Sequence, residues 1–144
     1  MIGFLYAIGA AITWGAVYTI DQKILYALSP LALLFVNSVI TMIVVLPFLF
    51  THGGGAATKA FLHSGTSTII LIALSLALAA LANFLIYSSI KTLGASTASI
   101  FEIAYPFFVV ILSFFVFRSK PNIYFLIGAL FMFIGSAIII KLGR

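Results

Sequence analysis

Apolar residues form five long runs along the chain, separated by short stretches that hold most of its charged residues. Each run is about 20 residues long, the length that an α-helix needs to cross the hydrocarbon core of a bilayer. The runs are apolar on nearly all sides, which is typical of helices that are surrounded by lipid or by other helices. The pattern therefore predicts five transmembrane helices, at residues 2–20, 30–50, 68–90, 96–117 and 123–140.

The composition also indicates that the solvent of this chain is a membrane. Its 144 residues are 65% hydrophobic and only 6% charged, whereas a soluble domain carries about 25% charged residues. Seven basic and two acidic side chains are too few to build a water-facing surface. The predicted fold class is all-α, an integral membrane bundle of five transmembrane helices, with residues 1–144 forming a single domain.

Proline, serine and glycine mark the ends of the predicted helices. Ser29 and Pro30 suit the N-cap and the first position of the second helix. Gly94 suits a C-cap after the third helix. Residues 51–67 contain three consecutive glycines and both histidines, and they are predicted to form the only long loop.

Small residues repeat along two of the predicted helices, and such residues let membrane helices approach closely. The first helix carries four at a spacing of four, namely Gly3, Ala7, Ala11 and Gly15. The fifth helix carries Gly128 and Gly135, two turns apart. These faces predict either packing within the chain or a dimer contact, for which the fifth helix is the best candidate.

Lysine and arginine are divided almost evenly between the two sides of the predicted bundle, with three on the side of the N-terminus and four on the other. An imbalance of these residues normally sets the orientation of a membrane protein. Two hypotheses follow: one fixed orientation, or insertion both ways with antiparallel pairing of two copies. The cations are scattered, so we expect them to contact lipid headgroups and expect no nucleic-acid partner.

Glu102 is the clearest ionisable residue inside a predicted membrane helix, and such residues are costly and usually functional. Pro106, four residues later, cannot donate a hydrogen bond to the carbonyl of Glu102 and predicts a hinge. Ser99 and Tyr105 lie three residues to either side of Glu102, on the same helix face. Since burial favours the neutral form of a carboxyl group, this cluster predicts a site for a proton, a cation or a polar substrate. Alternatively, Glu102 is neutral and bonds a neighbouring helix, or it meets water at the interface.

Other polar and aromatic positions are weaker signals. Asn37 and Asn83 lie in the middle of predicted helices and either line the same site or form interhelical hydrogen bonds. Trp14 is deep for an interfacial aromatic residue and either lines a cavity or packs against a neighbour. Asp21 lies at a helix end close to Lys23, and we interpret it as an interface residue.

The sequence contains no constellation typical of an enzyme. There is no pair of acids and no Ser-His-Asp set in a plausible order, and the glycines at 53–55 lack the Lys-Ser/Thr that completes a P-loop. The two histidines lack metal-ligand spacing and a third partner, and there is no cysteine. We therefore expect no enzymatic activity, no cofactor and no metal site.

Several short motifs occur in a characteristic order along the chain. They are Trp14-Gly15, Ser29-Pro30, Tyr105-Pro106 and the Gly128…Gly135 pattern of the last helix. Together they resemble the EamA-type repeat of the drug/metabolite transporter superfamily over essentially the whole chain. Two positions depart from that repeat. Asn37 replaces an arginine that many members carry, and Arg118-Ser119 replaces a Gly-Glu pair, so the roles of those charges do not carry over.

The resemblance implies a secondary transporter that exports or exchanges small metabolites, amino acids or drugs across a lipid bilayer. Most members are similar to two such repeats fused with inverted topology into ten helices. This chain resembles the single-repeat, five-helix prokaryotic branch. That branch implies a homodimer, parallel or antiparallel, spanning the inner or plasma membrane of a prokaryote several times. The alternatives are a small proton-coupled multidrug cation exporter that uses Glu102, and a membrane subunit that does not transport.

Overall fold

The structure is a computed structural model that describes residues 2–51, 54–118 and 122–142. All regular secondary structure in these residues is helical, so the predicted all-α class is confirmed. The helices are α1 (Ile2–Leu25), α2 (Pro30–Thr51), α3 (Gly54–Leu62), α4 (Thr66–Leu93), α5 (Ala95–Glu102), α6 (Tyr105–Phe117) and α7 (Ile123–Leu142).

Five segments of the described chain are long and apolar enough to cross a membrane: α1, α2, α4, the span formed by α5 and α6, and α7. Large apolar side chains such as Phe4, Phe50 and Phe115 are exposed over most of the surface. Such a surface is stable in lipid, where backbone polar groups are satisfied within each helix. The five-span membrane architecture is thus confirmed.

Helix α1 continues to Leu25, past its predicted end at Ile20. The extension takes in Asp21, which is only 4% exposed within the chain. Its position at the membrane–water interface stays a prediction. Asp21 shares one face of α1 with Tyr18 and Leu25, because residues three and four apart are neighbours on a helix. Both neighbours are buried, and Asp21 is buried with them.

The predicted loop at residues 51–67 contains the nine-residue helix α3. Alanine, lysine and leucine favour the helical conformation. Several of these residues follow the glycines, and their combined helix propensity outweighs the low propensity of glycine. His52 and Gly53 lie outside the described residues. The helix packs against α2, so this stretch contains a packed helix where the glycines predicted a loop.

The helix ends follow the predicted capping chemistry where the chain is described. The backbone N–H of Ala32 donates to the hydroxyl of Ser29 (3.1 Å), and α2 begins at Pro30. Gly94 is the single residue between α4 and α5, and its φ of 82° lies in the left-handed region that favours glycine. The turn residues 119–121 after α6, including Pro121, lie outside the described residues.

The chain divides into two compact units, described separately here. The first comprises Met1–Ile20 and Thr92–Arg144, and in it α7 packs against both α5 and α6. The second comprises Asp21–Lys91. In it the ammonium group of Lys91 donates to the carbonyl of Leu28 (2.8 Å). A single domain over residues 1–144 stays a prediction.

Candidate functional site

Glu102 is the last residue of α5, and its side chain is half-buried in the first unit. The hydroxyl of Tyr18 on α1 donates a hydrogen bond to Oε2 of Glu102 (2.5 Å). Tyr18 is only 8% exposed. A phenol that is buried in an apolar helix usually has a hydrogen-bond partner, and here the partner is the carboxyl group singled out by the sequence.

Trp14 lies one turn before Tyr18 on α1. The two ring centroids are 5.6 Å apart with their planes inclined by 57°. Trp14 remains 51% exposed, so much of its indole is open to a molecule approaching α1. Three side chains are therefore in contact one after another: Glu102 is hydrogen-bonded to Tyr18, and the ring of Tyr18 lies against that of Trp14.

The helix that carries Glu102 is interrupted directly after it. The fourth predicted helix is split into α5 and α6, with Ile103 and Ala104 between them. The N–H groups of these two residues donate to the carbonyls of Ser99 (3.1 Å) and Phe101 (3.3 Å), which completes the last turn of α5. Pro106 has no N–H to offer the carbonyl of Glu102, and this accounts for the break.

An apolar groove of about 440 Å³ lies in the first unit beside this break. Its lining includes Ile103, Pro106, Gly128, Met132 and Ser136. The hydroxyl of Ser136 donates to the carbonyl of Met132 in its own helix (2.8 Å). The groove is therefore an apolar surface, chemically different from the polar contact between Glu102 and Tyr18.

Ser99 and Tyr105 flank Glu102 in the sequence, but they differ in their surroundings. The hydroxyl of Ser99 donates to the carbonyl of Ser96 within α5 (2.9 Å). Tyr105 starts α6, beyond the break, and is 62% exposed. The spacing argument that placed Tyr105 with Glu102 assumed one continuous helix, which the break interrupts. Ser99 and Glu102 both lie in α5, so the argument still holds for Ser99.

Asn37 and Asn83 belong to the second unit. The amide Nδ2 of Asn37 on α2 donates to the hydroxyl of Tyr87 on α4 (2.8 Å), and Tyr87 is 4% exposed. Nδ2 of Asn83 donates to the carbonyl of Ala79 one turn earlier in α4 (2.9 Å). Asn37 thus links two membrane helices, whereas the bond from Asn83 to Ala79 stays within one helix.

Replacing Asn37 by leucine is expected to destabilise the second unit. The substitution removes the hydrogen bond to Tyr87, so the buried hydroxyl of Tyr87 loses this donor. Interhelical hydrogen bonds in membranes contribute about 0.6 kcal/mol on average and at most about 1.7 kcal/mol. We expect a loss in that range in unfolding by a denaturing detergent. Asn83→Leu is the matched control, and equal losses in the two variants would contradict the linking role of Asn37.

Tyr18 and Tyr87 are the two contact residues that the sequence prediction missed. Each is the buried partner of a polar residue on another helix of its own unit. The available signal was that a tyrosine inside a membrane helix needs a partner for its hydroxyl. The sequence offered six tyrosines and several polar candidates, so this signal alone did not select the pairs.

Tyr18→Phe removes the donor to Glu102 but keeps the ring that packs against Trp14. A hydrogen bond within a protein contributes about 0.5–1.5 kcal/mol, so the free energy of unfolding in a denaturing detergent is expected to fall by about that amount. Tyr6→Phe, an exposed tyrosine on the same helix, is the control. Equal stabilities of the two variants would contradict the contact between Tyr18 and Glu102.

Histidine, aspartate and glutamate do not gather into a metal-binding group anywhere in the described chain. The candidate site is thus built from a carboxyl group, a phenol and an indole in the first unit. These groups are able to exchange a proton and to attract a cationic or amphipathic molecule.

The model of the EamA-like transporter family matches residues 1–141 of the chain. This match covers all of the second unit, all but the last three residues of the first, and every candidate site residue. No curated protein and no solved structure matches the chain.

Proposed function

Because the chain belongs to the EamA-like transporter family, we propose that it is a secondary transporter that exports or exchanges small metabolites, amino acids or drugs. The chain is a multi-pass membrane protein, and its family implies a small-molecule substrate. The observation that carries the proposal is the carboxyl group of Glu102, half-buried in a membrane span and hydrogen-bonded by Tyr18. We place it in the cell membrane of a prokaryote.

Glu102 supplies the charge on which coupling depends. An ionised carboxylate inside a membrane span is costly, so it gains free energy by binding either a proton or a positively charged group of a substrate. These two events compete for one carboxyl group. Release of one on binding of the other then couples the two fluxes, and the bond from Tyr18 to Oε2 orients the carboxyl group for both.

The break after Glu102 supplies the movement. Two residues separate α5 from α6, and Pro106 keeps the helix from closing over them. We propose that α5 tilts against α6 at this hinge, so that Glu102 faces the two sides of the membrane in turn. Trp14, Ser99 and Tyr105 of the same unit are the further proposed substrate contacts. Asn37 and Asn83 are proposed as polar contacts within the second unit, considered by itself.

The working unit is proposed to be a homodimer, parallel or antiparallel. A methyl group added at Gly128 or at Gly135 would have no neighbour within 4 Å among the described residues, apart from the adjacent backbone of α7 itself. Within one copy, close packing against α7 is therefore not the reason for a glycine at these two positions. Small residues of this kind favour contact between membrane helices, and a second copy is the occupant that we propose.

A small proton-coupled exporter of multidrug cations is the second candidate. The packing of Trp14 against Tyr18, next to Glu102, favours it, because aromatic faces and a carboxylate together attract lipophilic cations. Competition between such a cation and protons would support this candidate. Saturable transport of a zwitterionic or neutral substrate would support the first.

Flux into proteoliposomes tests the proposal. Vesicles containing the purified chain and vesicles without protein are given labelled amino acids, neutral metabolites and a lipophilic cation, with and without a pH gradient. We expect saturable uptake of one class that requires the protein and responds to the gradient. Absence of flux for every class, with either direction of the gradient, would favour a membrane subunit that does not transport.

A further inference from the structure

Asp21 is the second of the two acidic residues in the chain, and the contact between Glu102 and Tyr18 does not involve it. It is 4% exposed, and its Oδ2 atom is buried without a hydrogen-bond partner. An ionised carboxylate in such a place costs far more free energy than a neutral carboxylic acid, so buried carboxyl groups without a partner generally take up a proton.

The surroundings of Asp21 on its own helix are apolar. Tyr18 and Leu25 are its neighbours on the same face of α1, and both are buried. Lys23 is two residues away, a spacing at which helix side chains do not face each other, and it is exposed. The carbonyl end of α1 follows within one turn, and its partial negative charge also opposes an ionised carboxylate.

The remaining titratable groups described in the unit of Asp21 do not neutralise Oδ2 either. The cations Lys59 and Lys91 are exposed, and the ammonium group of Lys91 donates to the carbonyl of Leu28. Tyr26 accepts a hydrogen bond from Gln22, the ring of His63 contacts the carbonyl of Lys59, and Tyr87 accepts one from Asn37. None of these contacts involves Asp21, so a proton is the simplest group that removes its charge.

We propose that Asp21 is a second proton-binding site, loaded at neutral pH and unloaded during the transport cycle. Only the unloading step rests on the proposed function. The binding of the proton is inferred from the burial of Asp21 alone. Each copy of the chain then carries two proton-binding carboxyl groups, Glu102 and Asp21, one in each unit.

Infrared spectroscopy of the Glu102→Gln variant tests the first step without any transport. In this variant Asp21 is the only side-chain carboxyl group of the chain. The difference between its spectrum in lipid nanodiscs and that of the double variant with Asp21→Asn therefore isolates the carbonyl stretch of a protonated Asp21 from the carbonyl groups of lipid and scaffold protein. An aspartate in water is protonated in about one molecule in a thousand at pH 7. We expect Asp21 to be protonated in more than half of the molecules, an increase of roughly 500-fold.

The band is expected to weaken as the pH is raised. It should be absent when Asp21→Asn is added to the same variant. If Asp21→Asn does not fold, the pH series on Glu102→Gln and on the unmodified chain decides by itself. A carboxylate spectrum at pH 7 would overturn the proposal, and so would a carboxylate band that shifts on addition of Na⁺, which would indicate a bound metal cation in place of the proton.

Proton counting during transport tests the unloading step. In proteoliposomes, Asp21→Asn is expected to lower the number of protons moved per substrate while flux continues. An unchanged ratio would overturn unloading and leave Asp21 as a permanently protonated group. If the unmodified chain shows no flux at all, the proposed function fails, whereas the infrared result for Asp21 still stands.

Discussion

Glu102→Gln is expected to abolish transport driven by a pH gradient while leaving the helices folded. An amide has nearly the shape of a carboxylic acid and still accepts the hydrogen bond from Tyr18, but it cannot release a proton. Removing a group that transfers a proton typically costs a factor of about 10²–10⁴ in rate. We therefore expect gradient-driven flux to fall by roughly a hundredfold or more, measured in proteoliposomes.

Ser38→Ala is the matched control for this variant. Ser38 is also polar and lies in a membrane span, but it is exposed and its hydroxyl donates to the carbonyl of Leu34 in its own helix (2.8 Å). We expect its flux to match that of the unmodified chain.

Exchange of substrate for substrate without a gradient distinguishes two causes of a loss in Glu102→Gln. If exchange persists, coupling has been lost, and if it disappears too, Glu102 also binds the substrate. Equal gradient-driven flux in Glu102→Gln and the unmodified chain would exclude Glu102 as the coupling group.

Gly54→Ala is expected to produce the largest loss of stability among single methyl additions in the second unit. Gly54 is buried at the start of α3, and a Cβ atom there would clash with the carbonyl oxygen of Leu49 and lie 2.7 Å from its carbonyl carbon. Both are backbone atoms, so a change of rotamer cannot relieve the clash. Overpacking costs about 1–3 kcal/mol, and we expect the upper end of that range.

Gly55→Ala is a close control, because the same methyl group added one residue later has no neighbour within 4 Å in the described part of the chain. Alanine favours helix over glycine by about 0.5–1 kcal/mol, so Gly55→Ala is expected to be neutral or slightly stabilising. The two variants are compared by unfolding in a denaturing detergent and by thermal aggregation. Similar stabilities for both would contradict the close approach of α3 to the end of α2.

The five spans were predictable because lipid-facing helices need long apolar runs, and nothing else in the chain imitates such a run. The capping role of Ser29 was predictable for a similar reason, since it depends only on residues three positions away. The break after Glu102 follows from Pro106, although the sequence alone indicated a hinge and not two separate helices. These features were predictable because each depends on residues that lie close together in the sequence.

Contacts between distant residues were not predictable in this way. Tyr18 and Glu102 are 84 residues apart, and Asn37 and Tyr87 are 50 apart. Helices that are apolar on all sides give little periodicity to indicate which face turns inward. For the same reason the burial of Asp21 on one face of α1 was not predictable from its neighbour Lys23.

The first unit combines the beginning of the chain with its end, and this imposes an order on biogenesis. Tyr18 is made early and Glu102 late, so α1 has to reside in the bilayer without its hydrogen-bond partner until the fourth span is inserted. Residues 21–91 form a contiguous unit and are all made before Glu102. The contact between Tyr18 and Glu102 is therefore formed late in synthesis, after the fourth span has been inserted.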